Sequence, residues 1–121
     1  RRGLNAVYVV NIEDKRIAHL GDLGHIPESE LLSILSGIDL MIIPVGGTYT
    51  IYPDEAWKLV ELTNPVNIMP IHYWIPGLNL PLSSIDEFLM HVKKYRVVRL
   101  ETNYFNLDDH SGDVIIPKYI D

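Results

Sequence analysis

Two short apolar runs constrain this chain more than anything else in it. "DLMIIPV" (39–45) and "VNIMPIH" (66–72) show no alternation of polar and apolar residues. A strand with one wet face alternates with period two, so unbroken runs of this length suit strands buried on both faces. Between them lies "PDEAWKLVELT" (53–63), where Ala56, Leu59, Val60 and Thr63 share one helical face. Pro53 fits the first turn of that helix, and Asp54 and Glu55 suit the positive end of its dipole. Strand, helix, strand, with each strand doubly buried, predicts parallel pairing through a right-handed crossover.

The rest of the chain extends this pattern. "NAVYVVNI" (5–12) and "RIAHL" (16–20), joined by the polar turn "EDK", predict a hairpin. "PESELLSILSG" (27–37) predicts a helix with Leu31, Leu32, Ile34 and Leu35 on a stripe. "SIDEFLMHVKKY" (84–95) predicts another, with Ser84 and Glu87 spaced as a capping box. "YWIPGLNLPLS" (73–83) is a Pro- and Gly-punctuated loop, and "RVVRLE" (96–101) and "DVIIPKY" (113–119) complete the strands. The expected order is ββαβαβαββ, an α/β domain over residues 1–121 with no internal repeat or linker.

Composition narrows the function. The 121 residues are 47% hydrophobic and 21% charged, which fits one globular domain. The formal charge is −6 with no basic stripe, so no nucleic-acid partner is expected. The longest apolar run is far too short to span a bilayer, so no membrane partner is expected either. No signal peptide is visible, and a cytoplasmic location is expected. There is no cysteine, so any metal must be held by His, Asp or Glu.

Functional groups in parallel sheets gather beyond the carboxyl ends of the strands. Three of the predicted strands end in "GDLGH" (21–25), "PVGGTY" (44–49) and "PIHY" (70–73). Parallel neighbours place these ends on one rim, so Asp22, His25 and His72 can converge. Asp22 and His72 have the right chemistry for a borderline divalent metal, a carboxylate that can bridge and an imidazole nitrogen. Two ligands do not complete a catalytic site, which needs about three protein ligands and an open position. The plainer readings are an Asx-turn for Asp22 and a core histidine for His72. His19 is read as a packing residue within its strand, His91 as a surface residue near a helix end, and Asp108-Asp109-His110 as a solvated turn. Trp57 and Trp74 are read as packing residues.

The run "RGLNAVYVV…RIAHLGDLGH…IDLMIIPVGGTYTIYPDEAWKLVELTNPVNIMPIHY", about residues 2 to 73, resembles the second half of metallo-β-lactamase-fold hydrolases. It is most similar to the branch of the bacterial L-ascorbate-6-phosphate lactonase and Zn-dependent hydrolases of the β-lactamase fold. The resemblance implies half of an αββα sandwich: one mixed sheet with helices on one face. It implies that Asp22 bridges two zinc ions, with manganese or iron as alternatives, and that His72 ligates one of them. It gives His25, Gly46, Gly47, Thr48, Tyr49 and Tyr73 supporting or substrate-facing places. The implied reaction is hydrolysis of an ester, lactone or phosphoester of a small molecule by a hydroxide held between the metals.

The family's His-x-His-x-Asp-His signature is absent, so the chain reads as the C-terminal half of such a hydrolase, and alone it is expected to be inactive. It is expected to pair with an N-terminal half or to self-associate, because a lone half-sandwich bares an apolar sheet face. The rival reading is an inactive split half that serves as an interaction or structural module. A flavodoxin-like or receiver-like domain with Asp22 as acceptor fits less well, since those folds open with a strand and a crossover helix rather than a hairpin.

Overall fold

The computed structural model describes residues 5–118. Two expectations lie partly outside this range: the first residues of the run that carries the resemblance, and Tyr119 at the end of the last strand. In chain order the elements are β1 (Tyr8–Ile12), β2 (Lys15–His19), α1 (Ser29–Leu35), β3 (Leu40–Pro44), α2 (Pro53–Thr63), β4 (Asn67–Ile71), α3 (Ile85–Leu89), β5 (Arg96–Arg99) and β6 (Asp113–Ile116). A single 3-10 turn, Leu107–Asp109, precedes β6.

The strands form one sheet in the order β1-β2-β3-β4-β6-β5. β1 and β2 pair antiparallel as the predicted hairpin, with Tyr8 opposite His19 and Ile12 opposite Lys15. All other pairings are parallel. The doubly apolar runs occupy the middle: β3 and β4 pair over their full length, Leu40 with Asn67 through Pro44 with Ile71. The sheet is therefore mixed, as the hairpin and the crossovers together require.

One face of the sheet carries the core. Ala18, Met41, Ile43, Ile68 and Val114 point to it from four strands and meet Leu35 of α1, Ala56, Leu59 and Val60 of α2, and Phe88 of α3. Trp57 stands edge-on to Phe88 and Tyr95, which joins α2 to α3 and to the approach to β5. Trp57 is thus a packing residue, as expected; Trp74 is more exposed, with its indole N–H donating to the Leu78 carbonyl at 2.9 Å.

The other face is covered only in part. Toward the amino ends of β4 and β6, the segment before β6 lies across it: Asn67 donates to the His110 carbonyl at 3.1 Å, and His110 Nδ1 donates to Asp113 Oδ2 at 2.7 Å. Toward β1 the same face is open, and Tyr8, Val10 and Ile12 are exposed.

Two local expectations are corrected. The helix expected over 84–95 stops at Leu89, and His91 and Val92 bond three residues back instead, to Phe88 and Leu89. Lys94 then takes a left-handed φ of 69°. The apolar spacing was read correctly, since Ile85, Leu89, Val92 and Tyr95 all pack on the core; only the backbone bonding differs. The Ser84 side chain makes no cap hydrogen bond; the Glu87 amide reaches the Ser84 carbonyl at 3.2 Å. The side-chain cap lies on α2, where Glu55 Oε1 accepts from the Tyr52 amide at 2.8 Å.

Candidate metal centre

The carboxyl ends of β2, β3 and β4 do share one rim. Pairing runs past the formal strand ends, with Leu20 N–H donating to Ile42 O at 2.9 Å and Val45 N–H to Ile71 O at 3.0 Å. Asp22 and His72 therefore emerge side by side. His72 Nε2 lies 3.1 Å from Asp22 Oδ1. Both side chains are well exposed, at 47% and 72% of their area, so the pair opens to solvent rather than to the core. The readings of His72 as a core histidine and of Asp22 as bonded only to its own turn do not describe this geometry.

Backbone strain aims His72. Its φ is 59°, in the left-handed region that a residue with a Cβ enters at a cost of about 1–2 kcal/mol. The sharp bend ends β4 and lifts the imidazole off the sheet. Gly46 accepts the bend from below: a Cβ there would lie 1.9 Å from the His72 carbonyl oxygen. Only glycine allows the two strand ends to approach so closely. Gly47 has a φ of 70°, and the Tyr52 ring lies where its side chain would go. Thr48 Oγ1 donates to the Pro81 carbonyl at 2.7 Å, and Ser83 N–H to the Gly46 carbonyl at 2.7 Å. The "GGT" stretch thus ties the 73–83 loop to the rim. Tyr49 next to it is exposed.

Tyr73 and His72 share the wall of a small cleft of about 290 Å³ with Met69, Ile75, Pro117 and Lys118. Pro117 and Lys118, expected as the tail of the last strand, reach this cleft because β6 pairs beside β4. His25 is placed differently. It is exposed and faces a separate cleft of about 500 Å³ between the post-β2 loop and α1, with Asn5, Glu28 and Leu31. His19, read as a packing residue, is exposed; its Nδ1 accepts the Gly21 amide at 3.0 Å. The missed polar residue is Asn5, which accepts from the Asp22 amide at 3.0 Å.

The "DDH" stretch also departs from expectation. Asp108 and Asp109 are exposed, but His110 is 10% exposed and bonds the fully buried Asp113. Arg96 Nε and Nη2 complete that carboxylate's shell at 3.1 and 3.2 Å. Burial alone would raise the Asp113 pKa; hydrogen bonds and charge from Arg96 and His110 outweigh it and hold the carboxyl below its ordinary 3.8. This cluster joins β5, β6 and the preceding turn.

The rim pair fits a divalent metal as far as it goes. An oxygen and an imidazole nitrogen 3.1 Å apart can both reach one ion at about 2.0–2.2 Å. Among the described residues no group of three or more His, Asp or Glu side chains is close enough to hold a metal. Among the described residues the pair therefore offers two donors, where a catalytic site needs about three.

Comparison with known proteins places the fold. Residues 1–72 match the family model described as "Beta-lactamase superfamily domain". A UPF0173 metal-dependent hydrolase of Thermococcus onnurineus is 43% identical over 72 residues, covering 57% of this chain and 32% of that protein. One from Thermus thermophilus is 37% identical over 71 residues, covering 59% of this chain and 31% of its own length. A solved Thermotoga maritima structure, assigned as a Zn-dependent hydrolase of the metallo-β-lactamase superfamily, superposes with a TM-score of 0.74 at 35% identity. That likeness covers 92% of this chain and 57% of the other. A metallo hydrolase of Ignicoccus hospitalis matches with a TM-score of 0.51 at 28% identity, over 64% of this chain and 33% of its own. The matched part is about a third of the length of the curated relatives and holds the β2–β4 rim with its Asp22–His72 pair; the chain belongs to the beta-lactamase superfamily.

Proposed function

We propose that this chain is the C-terminal part of a metal-dependent hydrolase, with Asp22 and His72 as its contribution to the metal centre. The observation that carries the reading is the convergence of Asp22 Oδ1 and His72 Nε2 to 3.1 Å on an open rim. The names of the hydrolase relatives support it. A divalent metal, zinc foremost, supplies polarisation of an ester, lactone or phosphoester bond and acidifies the attacking water. Asp22 gives two oxygens, enough to bridge two ions. His72 gives an imidazole nitrogen from a backbone held in the left-handed region. Tyr73, with Lys118, forms a wall against which a small substrate rests beside His72. Thr48 and Tyr49 shape the other side, whereas His25 faces the separate cleft beside α1.

Elemental analysis of the purified protein tests the assignment. The expected result is bound zinc, manganese or iron in the wild type, lost in Asp22→Asn and in His72→Ala and kept in His91→Ala. Metal retained in both rim variants overturns it.

A second reading has its own observation. The open sheet face toward β1, with Tyr8, Val10 and Ile12 exposed, favours pairing with another apolar sheet. In that reading the chain is an inactive interaction module. It self-associates or docks on an N-terminal half, and wild-type protein without metal but dimeric in solution is its signature.

A further inference from the structure

Among the described residues the Asp22 carboxylate has one polar contact, with His72. The carboxylate is 72% exposed, so packing does not hold it, and the backbone turn beneath has to aim it. That turn is held from outside by one amide. Asn5 Nδ2 donates to the Leu20 carbonyl at 2.7 Å, and Asn5 Oδ1 accepts from the Asp22 N–H at 3.0 Å. The two bonds grip the residues on either side of Gly21. Gly21 itself has a φ of 58°, and a Cβ there would lie 2.7 Å from Asn5 Oδ1. The glycine therefore both permits the turn and leaves room for the clamp.

We propose that Asn5 is the positioning residue of the metal centre: it fixes the Gly21-Asp22 turn so that the Asp22 carboxylate meets His72. Its consequence for metal rests on the proposed function; the clamp itself does not. A primary amide meets both demands, with one acceptor and one donor group on the same carbon. An aspartate keeps the acceptor and loses the donor, and an alanine loses both. Groups that orient a ligand of this kind are typically worth about 10–100-fold in metal affinity.

The test uses the 15N-labelled chain, with Asn5→Ala and Asn5→Asp, and Co²⁺ alone as the metal probe. Amide hydrogen exchange reads the Asp22 N–H, and calorimetric titration reads Co²⁺ affinity. In Asn5→Ala the Asp22 amide is expected to exchange about tenfold faster or more, with Co²⁺ affinity falling about 10–100-fold. Asn5→Asp is expected to lose that protection too, because its second oxygen faces the Leu20 carbonyl where the amide donated. Unchanged protection in Asn5→Ala overturns the clamp, and should that variant fail to fold, unchanged protection in a folded Asn5→Asp overturns it equally. Lost protection with unchanged Co²⁺ affinity overturns its role at the centre. A wild type that binds no Co²⁺ overturns the metal reading instead, and amide exchange still decides the clamp.

Discussion

At the residue scale, the centre depends on positions where a side chain is forbidden as much as on those where one is needed. Gly46 is the clearest. Its missing Cβ is replaced by the His72 carbonyl, a backbone atom that cannot rotate out of the way. Gly46→Ala forces β3 and β4 apart at their ends. The expected cost is about 2–4 kcal/mol, seen as a lower midpoint in urea, with loss of whatever metal the wild type holds. A Gly46→Ala protein of wild-type stability and metal content would show that the approach is looser than the geometry states. Gly77 makes the comparison: no atom lies within 4 Å of its Cβ position, but its φ is 89°, so alanine there costs only local backbone strain.

The legibility of the site divides along the same line. The convergence of Asp22 and His72 was legible, because the parallel order brings those strand ends together. Gly46 and Gly47 were visible as a doublet, but not that one faces a carbonyl and the other a tyrosine ring. Asn5 was not visible at all. It sits fifteen residues from Leu20 in the chain, and an Asn near a strand start has many ordinary uses. His25 shows the limit of adjacency: three residues from Asp22, it faces a different cleft, because the turn after Leu23 carries it toward α1.

At the element scale, the sheet is secured at two ends by different means. On the helix side it is apolar, through Phe88 and Trp57. At the amino ends of β5 and β6 it is ionic, through Asp113. The element order ββαβαβαββ was readable from hydrophobic pattern alone, but the insertion of β6 between β4 and β5 was not. Pattern assigns a strand its buried faces and leaves its neighbours open. Asp113 is what marks the insertion, since it takes Arg96 from β5 while its own amide donates to Asn67 of β4 at 3.0 Å.

The ionic end makes stability depend on pH. The Asp113 carboxyl is held below 3.8 in the folded chain, so the native state takes up its proton less readily than the unfolded state does. Its contribution is complete above the unfolded value and is lost as pH falls through the lower folded value. Asp113→Asn is therefore expected to unfold at lower urea than the wild type at pH 7, by about 1.5–3 kcal/mol, with the gap closing as pH falls below 3.8. A gap independent of pH would assign the loss to packing. Phe88→Ala supplies that contrast: it is expected to cost about 3–5 kcal/mol with no pH dependence over the same range.

At the scale of the whole molecule, the two faces of the sheet are unequal. One is sealed by α1, α2 and α3. The other has a polar patch over its lower end and an apolar surface toward β1, where Tyr8 is 63%, Val10 46% and Ile12 54% exposed. β1 is also an edge strand, with its outer hydrogen-bonding groups open to another chain. The solved Thermotoga maritima relative is longer, and this chain covers 57% of it. Contiguous apolar surface beside a free edge drives association whether the cover is a second copy or another segment. The chain by itself is therefore expected to sediment as a dimer or larger species. The double variant Val10→Lys, Ile12→Lys places two like charges on that face, two residues apart on one strand, and leaves the helix-side core untouched. It is expected to shift the sedimentation equilibrium to monomer while keeping the far-ultraviolet circular dichroism of the wild type. A wild type that is monomeric at millimolar concentration would show that the face is satisfied within the chain. A lysine variant that stays dimeric would move the contact elsewhere. Because Asp22 and His72 lie on the rim rather than on this face, the charge change is expected to leave their geometry intact, so Co²⁺ affinity per chain measures whether a covering partner also supplies metal ligands. Affinity that falls with the dimer means the partner completes the centre; affinity that survives in the monomer means the rim pair binds without it.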